Sequence, residues 1–229
     1  MRPTVTVLGV GMLCLLTACH DPAPRTVTVV DRNGRPFIRS EQVDGEKQGR
    51  STILHPNGTV RKEGWYDRDL REGAWIERSP LGDTLALLNY DHGRLDGTST
   101  WWNDEGQVTE QAHYRQGVRD GDMRRYFADG SPRLMLSYRD GKPEGPYRRW
   151  FFRNDETGSL RIEGYYHNGV SEGIWTTYRS DGTIASRGRF INGQRVGTWV
   201  RYAPEGALID SVIYDRGRVL ERHGPGTSR

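Results

Sequence analysis

The chain has 229 residues, with 33 Lys and Arg against 30 Asp and Glu, a formal net charge of +3 and 34% hydrophobic residues. This length fits one domain or one array of small repeats. A charged fraction of 28% with so small a net charge is typical of a soluble domain and predicts neither disorder nor a nucleic-acid partner. The 29 glycines exceed ordinary usage, but they do not occupy every third position, which excludes a collagen helix.

The N-terminal segment has the pattern of a lipoprotein signal. Arg2 supplies positive charge, and Val5 to Leu16 form an apolar run too short to cross a bilayer, which needs about 20 residues. The run ends in Leu16-Thr17-Ala18-Cys19, which closely resembles a bacterial lipobox. That resemblance implies cleavage after Ala18, lipidation of Cys19, a signal peptide over residues 1–18 and a lipidated linker over residues 19–24.

A lipid on Cys19 would make a membrane the first partner and place the protein in the bacterial cell envelope. His20 follows the cysteine where an Asp would favour retention in the inner membrane, so the outer membrane is favoured if the source is Gram-negative. Cys14, the other cysteine, would leave with the signal peptide, so no disulfide or Cys-based zinc site is expected. A plain secretory signal that happens to contain a cysteine is the alternative.

Glycine and aromatic residues recur along the chain with a period of 24 residues, interrupted by one step of 28. The glycine series is Gly49, Gly73, Gly97, Gly121, Gly145, Gly173 and Gly197, and the aromatic series is Tyr66, Tyr90, Tyr114, Tyr138, Tyr166, Phe190 and Tyr214. Such periodicity predicts a repeat architecture. We expect a degenerate capping repeat over residues 25–48, seven repeats over 49–219 with a four-residue insertion in 145–172, and a tail over 220–229.

Each repeat contains two β-prone segments and two turns. The clearest copy is Trp175-Thr176-Thr177-Tyr178, the turn at Asp181-Gly182, the segment Ile184 to Ile191 and the turn at Asn192-Gly193. Asp-Gly and Asn-Gly suit two-residue hairpin turns because glycine adopts positive φ without steric penalty. We therefore expect an all-β fold, in which antiparallel hairpins form an elongated, twisted, single-layer sheet of about 16 strands.

The aromatic residues of the first segment predict two columns. Trp175 and Tyr178 are three residues apart, so a regular strand turns them to opposite faces of the sheet. By repeat register, one column contains Trp75, Met123, Tyr147, Trp175 and Trp199, and the other contains Trp102, Tyr126, Trp150, Tyr178 and Tyr202. Both faces of the sheet are then partly aromatic.

The motif Gly-x-Trp-x-x-Tyr, followed by Asp-Gly, an aromatic residue and Asn-Gly, resembles the MORN-repeat variant found in bacteria. Clear copies span Gly173 to Gly193 and Gly197 to Gly217, whereas the first repeat departs from the motif at Ser51, Leu54 and Asp69. The resemblance implies a single-layer ladder of β-hairpins. Many bacterial members of this family are catalogued as antitoxin-like.

The sequence contains no pattern of a familiar catalytic centre. There is no Gly-x-Ser-x-Gly elbow, phosphate loop, dinucleotide fingerprint or His-Glu-x-x-His, and the six histidines do not have the spacing of a metal pair. The carboxylate pairs Asp67 with Asp69 and Asp120 with Asp122 fit turns better than a calcium site. We therefore expect a protein that is not an enzyme, with no catalytic residue, metal site or cofactor.

A candidate binding surface combines the second aromatic column with neighbouring arginines. Arg125, Arg149 and Arg201 lie on the first segment of their repeats, where they could form a stripe beside Tyr126, Trp150 and Tyr202. Such a stripe would suit phosphate, anionic lipid or an acidic protein. The alternatives are a solvated strand face balanced by nearby acids, and aromatic columns that serve only to pack the ladder.

The sequence therefore predicts a lipid-anchored envelope protein whose hairpin array is an interaction scaffold for another macromolecule, with a protein as the expected partner. Two other functions stay open. One is an antitoxin or immunity-like protein that neutralises an envelope-acting toxin, and the other is binding of glycan or anionic lipid through the aromatic and arginine columns.

Overall fold

The computed structural model describes residues 23–152 and 158–224, which form one 18-stranded antiparallel sheet and contain no helix. Ala18 and Cys19, with the rest of the predicted signal peptide and lipobox, lie outside the described residues, as do residues 153–157 of the predicted insertion. No helix in the described part of the chain is long and apolar enough to span a bilayer. The predicted all-β hairpin ladder is confirmed.

The strands follow one another at short intervals along the chain. In order they are β1 (Arg25–Val30), β2 (Pro36–Val43), β3 (Glu46–Leu54), β4 (Val60–Asp67), β5 (Leu70–Arg78), β6 (Thr84–Asp91), β7 (Arg94–Leu95), β8 (Gly97–Trp102), β9 (Val108–Arg115), β10 (Val118–Tyr126), β11 (Pro132–Arg139), β12 (Lys142–Trp150), β13 (Leu160–His167), β14 (Val170–Tyr178), β15 (Ile184–Ile191), β16 (Gln194–Tyr202), β17 (Leu208–Asp215) and β18 (Arg218–His223).

Each strand pairs with its neighbours in sequence, so the sheet is an open meander whose two edges are β1 and β18. The short β7 and the longer β8 both pair with β6 and are separated only at Asp96. The strand count exceeds the expected 16 for two reasons. The segment β7 is separate from β8, and β18 extends into residues that were predicted to belong to the C-terminal tail.

Two-residue turns join the end of each repeat to the start of the next. Asp140 and Gly141 have φ of 49° and 77°, and Asn168 with Gly169 and Asn192 with Gly193 are similar. Positive φ at both central residues is the geometry that matches the twist of the flanking strands. The turn between β4 and β5 uses Arg68 and Asp69, and the Asp69 carboxylate accepts a hydrogen bond from Lys47 N at 2.9 Å.

The other turn is a three-residue loop in the described hairpins, apart from the β12–β13 connection that contains the insertion. The prediction of a two-residue turn at Asp181-Gly182 is therefore wrong, because Arg179 N donates to Thr183 O at 2.9 Å across three residues. In the loop between β3 and β4, His55 N donates to Thr59 O at 2.8 Å, and Gly58 N donates to His55 O at 2.9 Å. Gly58 has φ of 87°, whereas Asn57 is not among the residues with positive φ. A type I turn followed by one left-handed glycine explains the loop length. The adjoining strand pair has a separate register shift between Ile53 and Leu54.

A polar side chain before six of the seven repeat glycines caps the next two-residue turn, whereas Val196 precedes the seventh, Gly197. The carboxylates of Glu72, Asp96, Asp120, Glu144 and Glu172 accept hydrogen bonds of 2.8–3.1 Å from the backbone nitrogens of His92, Gln116, Asp140, Asn168 and Asn192. Gln48 does the same for Arg68 N at 3.0 Å. The acid-glycine dipeptide recurs with the glycine series and would have revealed this role, which the sequence analysis missed.

This cap predicts a specific acid sensitivity, which the variant Glu144→Gln isolates. The hydrogen bond from Asn168 N lowers the pKa of the Glu144 carboxyl below its usual 4.5, with a further contribution from His167. A carboxyl whose pKa is lower when folded stabilises the protein above the unfolded pKa, and this contribution is lost as the pH falls below about 4.5 and through the folded value.

Wild type should therefore lose more stability than Glu144→Gln between neutral pH and about pH 3, because an amide oxygen accepts the same bond but does not titrate. Urea unfolding followed by far-UV circular dichroism across this range measures the difference. Equal dependence on pH in the two proteins would contradict the role of this carboxylate.

The core of the sheet is a set of large side chains that lie over small ones on one face. Trp75 is 2% exposed and lies over Gly64, and Trp175 and Trp199 lie over Gly164 and Gly188 in the same way. Met123 pairs across the strands with Ala112, and Tyr147 pairs with Leu136. Each tryptophan follows its glycine by eleven residues, so one hairpin supplies both members of a pair.

Candidate interaction surface

Side chains alternate between the two faces of the sheet. We define face A as the face that carries Trp75, Tyr147, Trp175 and Trp199. Face B is the opposite face, where alternation along the same strands places the second predicted column. The two columns thus lie on opposite faces, as the sequence predicted.

Face A is held together by contacts between aromatic rings. Tyr66 and Trp75 have ring centroids 5.0 Å apart with planes at 82°, and Phe190 and Trp199 are 4.9 Å apart at 81°. Trp175 stacks with Tyr147 at 5.4 Å, which links successive repeats. Edge-to-face and offset contacts of this kind are favourable beyond the apolar area they bury. The rings of face A therefore stabilise the ladder.

Arginines lie over the rings of face A. The Arg195 guanidinium is 4.5 Å from the Trp199 centroid and 5.5 Å from that of Tyr214, and it donates to the Tyr214 hydroxyl at 3.1 Å. Arg71 has the same position over Trp75 and donates to the Tyr90 hydroxyl at 3.0 Å. These cations extend the packing of the aromatic spine by cation–π contacts.

The five predicted aromatic residues Trp102, Tyr126, Trp150, Tyr178 and Tyr202 are all half-buried. Among the described residues, no ring–ring contact involves any of them. Successive members lie on every second strand, about 10 Å apart, so their rings do not meet. Face A differs because both strands of a hairpin can contribute rings there, as Tyr147 with Tyr166 and Trp199 with Tyr214 do.

Two of the face-B tyrosines are oriented by polar partners. Tyr178 donates to Glu163 Oε1 at 2.5 Å, and Tyr126 donates to Gln111 Oε1 at 3.4 Å. Burial, followed by the Glu163 carboxylate, raises the pKa of Tyr178. Both hydrogen bonds orient the phenol groups, and the two residues remain partly open to solvent.

The structure separates the predicted arginines from these rings. Arg125 bonds Glu110 Oε2 at 2.7 Å, and Arg201 forms an ion pair with Asp210, both on face A. Arg149 is exposed and lies across from Leu134 and Ile162. The expected stripe beside the second column is wrong, because residues adjacent in a strand point to opposite faces.

The sequence analysis missed two exposed rings on face B. Trp65 is 52% exposed and Tyr165 is 43% exposed, and each directly precedes a tyrosine that packs on face A. Alternation sends one ring of such a pair to each face, so the dipeptides Trp65-Tyr66 and Tyr165-Tyr166 were the available signal. Ile174, which is 42% exposed, adds to the apolar surface of face B.

One group of side chains has the ligand types of a cation site. The ligand atoms of Glu72, Asp91 and His92 lie within 4.8 Å of one another. However, Glu72 caps the backbone nitrogen of His92, and His92 Nδ1 is 2.5 Å from Asp91 Oδ1. This contact lowers the pKa of Asp91 and raises that of His92. Turn capping and the ion pair account for the group.

The predicted carboxylate pairs have similar structural roles. Asp120 Oδ2 accepts from Asp140 N at 3.1 Å and pairs with Arg115 at 2.6 Å, and Asp122 Oδ1 accepts from Ser137 Oγ at 2.8 Å. These contacts match the structural interpretation that the sequence favoured for such pairs.

Fold and surface together define a β-hairpin repeat ladder with an aromatic spine on one face and open rings on the other. Residues 95–116, which include β8, β9 and the loop between them, match the family model described as the MORN repeat variant. The match covers one repeat and supports placing the array among MORN repeats. A search of curated proteins gave no match to the chain.

Proposed function

We propose that this protein is a non-enzymatic, lipid-anchored scaffold of the bacterial cell envelope, which presents face B to a protein partner. The observation that carries the proposal is that aromatic residues pack against one another on face A but not on face B. Rings on face A interlock, whereas the second column and the exposed Trp65 and Tyr165 on face B make no ring contact with one another among the described residues.

Aromatic residues that are partly exposed and not needed for packing are the side chains that dominate protein interfaces. Face B presents them at intervals of about 10 Å along the ladder, an arrangement that suits an extended partner surface. Charged side chains lie beside them, including Glu63, which pairs with both Arg50 and Arg78. An aromatic surface with neighbouring ion pairs has the composition of a non-obligate protein interface.

Crosslinking and pull-down from intact envelopes tests the proposed surface. We expect wild type to retrieve one dominant protein, and Trp102→Ala and Trp150→Ala each to reduce its yield at least about tenfold, as truncated interface tryptophans do. The matched control is Leu81→Ala, because Leu81 is 91% exposed in a loop. All three variants should keep the far-UV circular dichroism of wild type.

A result in which both tryptophan variants unfold would show that these rings are needed for the fold and would overturn the role of face B. A well-folded bait that retrieves no protein would also overturn the proposal, and would direct attention to glycan or anionic lipid as the ligand of the same rings.

The anchor is tested separately with Cys19→Ser. Wild type should incorporate labelled palmitate and sediment with membranes, and the variant should do neither, because the thiol that accepts the lipid is absent. Equal label in both proteins would refute the anchor and leave the surface experiment unaffected.

A further inference from the structure

Strand β1 is an open edge of the sheet. All six of its residues are exposed, and among the described residues its one strand partner is β2. Asp31 N donates to Arg35 O at 2.8 Å, so Asp31 directs its backbone groups towards β2. Alternation along the strand then directs the N–H and C=O groups of Thr26, Thr28 and Val30 away from the sheet. These groups form a row of free donors and acceptors.

Between Thr26 and Val30 this edge has neither charge nor proline, and its one irregularity is the register shift against β2 between Val29 and Val30. Natural edge strands are protected by charge, proline or bulges. The other edge, β18, has Arg218, Glu221 and Arg222 among its six residues. In β1 the only charged residue is Arg25, and the rest are the β-prone Thr and Val, with Val27 36%, Val29 42% and Val30 51% exposed.

The residues of β1 are also self-complementary, and we propose that β1 pairs antiparallel with β1 of a second copy of this chain. The two-fold axis passes midway between Thr28 of one copy and Thr28 of the other. Thr28 then lies opposite Thr28 of the second copy, and Val27 lies opposite Val29. Thr26 lies opposite Val30, so every outward-facing backbone group meets another.

The same register matches charge. Arg25 lies opposite Asp31 of the second copy, and symmetry forms this pair twice. Arg25 is exposed, and the Asp31 carboxylate already accepts hydrogen bonds from Asn33 N at 2.8 Å and Arg35 N at 2.9 Å, which fix its position. Opposite charges directly across a strand pair are stabilising.

Two neighbouring registers satisfy fewer backbone groups. A shift by one residue sets outward-facing backbone groups against inward-facing ones. Centring the pair on Val27 instead places Pro24, which has no N–H, opposite Val30. The two-fold arrangement at Thr28 is therefore favoured over these registers, and it joins two ladders into a continuous sheet. It depends on neither the lipid anchor nor the partner of face B.

Sedimentation of the full chain in density-matched detergent tests this pairing, with Cys14→Ser and Cys19→Ser introduced to remove lipid and thiol chemistry. The mass should rise with concentration from 26.1 kDa towards twice that value. Arg25→Glu should weaken the dimer about tenfold, because each of its two charge pairs becomes a repulsion. The matched control Arg218→Glu, at the opposite edge, should leave dimerisation unchanged.

A second measurement uses Thr28→Cys in the same background. A short bis-maleimide should yield covalent dimers from Thr28→Cys, a result that excludes head-to-tail stacking of β18 on β1, because that stacking keeps the two copies of residue 28 apart. Arg218→Cys should give no covalent dimer, which excludes pairing of β18 with β18. The proposal is overturned if wild type stays monomeric at all concentrations, if Arg218→Glu weakens the dimer as much as Arg25→Glu, or if Thr28→Cys does not crosslink.

Discussion

Truncation of Trp75 to alanine is expected to cost about 3–5 kcal/mol in the free energy of unfolding, the range for large aromatic residues in a core. Trp75 is 2% exposed and lies between Tyr66 and Tyr90, with ring centroids 5.0 and 6.4 Å away. Its Nε1 donates to Trp65 O at 3.1 Å. The variant would lose these contacts and leave a cavity above Gly64.

The matched control is Trp150→Ala on face B. The Trp150 side chain is half-buried, and no ring contact of the described residues includes it, so its loss should cost about 1 kcal/mol, as is usual away from a core. Urea unfolding by far-UV circular dichroism measures both variants. Similar losses of stability would show that the rings of face B contribute to packing as much as those of face A.

The Trp75→Ala substitution should first destabilise the strands next to Trp75. In a repeat array each unit contacts only its neighbours, so stability is nearly a sum of unit and interface contributions. Hydrogen exchange should therefore increase first in β4, β5 and β6, which supply Gly64, Tyr66, Trp75 and Tyr90. A uniform increase along the whole ladder would indicate a single cooperative unit instead.

The hairpin ladder could be predicted from the sequence because the glycine and aromatic residues recur at a nearly constant spacing, and this spacing is the repeat length. The sequence also placed the two aromatic columns on opposite faces, since Trp175 and Tyr178 are three residues apart on one strand. Period and alternation are local properties of the chain, and this is why they could be read without a structure.

The errors concern contacts between strands. The arginines were expected beside the second column because Arg125 and Tyr126 are adjacent in sequence, yet adjacent residues of a strand face opposite ways. The caps on the two-residue turns were missed because Glu144 and Asn168 are 24 residues apart and meet only once the hairpins stack. The three-residue loops were missed because Asn-Gly and Asp-Gly occur in both kinds of turn.

The pairing of a small residue on one strand with a large ring on the next also depends on contacts between strands. The variant Gly188→Ala tests it. Gly188 is buried, and a Cβ at this position would lie less than 3.0 Å from the indole of Trp199. Because Trp199 is fixed by Phe190 and by its hydrogen bond to Arg189 O at 3.1 Å, the ring has to shift. We expect the variant to lose about 1–3 kcal/mol, the usual cost of overpacking.

The control for backbone effects is Gly224→Ala, because a Cβ at Gly224 meets nothing within 4 Å. This substitution should be close to neutral. A comparable loss in both variants, measured by urea unfolding, would show that contact with the indole is not the cause.

The double variant Gly188→Ala with Trp199→Met separates steric conflict from loss of the ring, because it recreates the Ala112 and Met123 pair that the chain already uses at the same place in another repeat. Ala112 is 1% exposed and Met123 is 3% exposed, so that combination packs well. If a small residue must accompany a large ring, the cost of the double variant should fall below the sum of the two single costs by at least about 0.5 kcal/mol. Additive costs would mean that the pairing of large with small residues across each hairpin is not a requirement of the ladder.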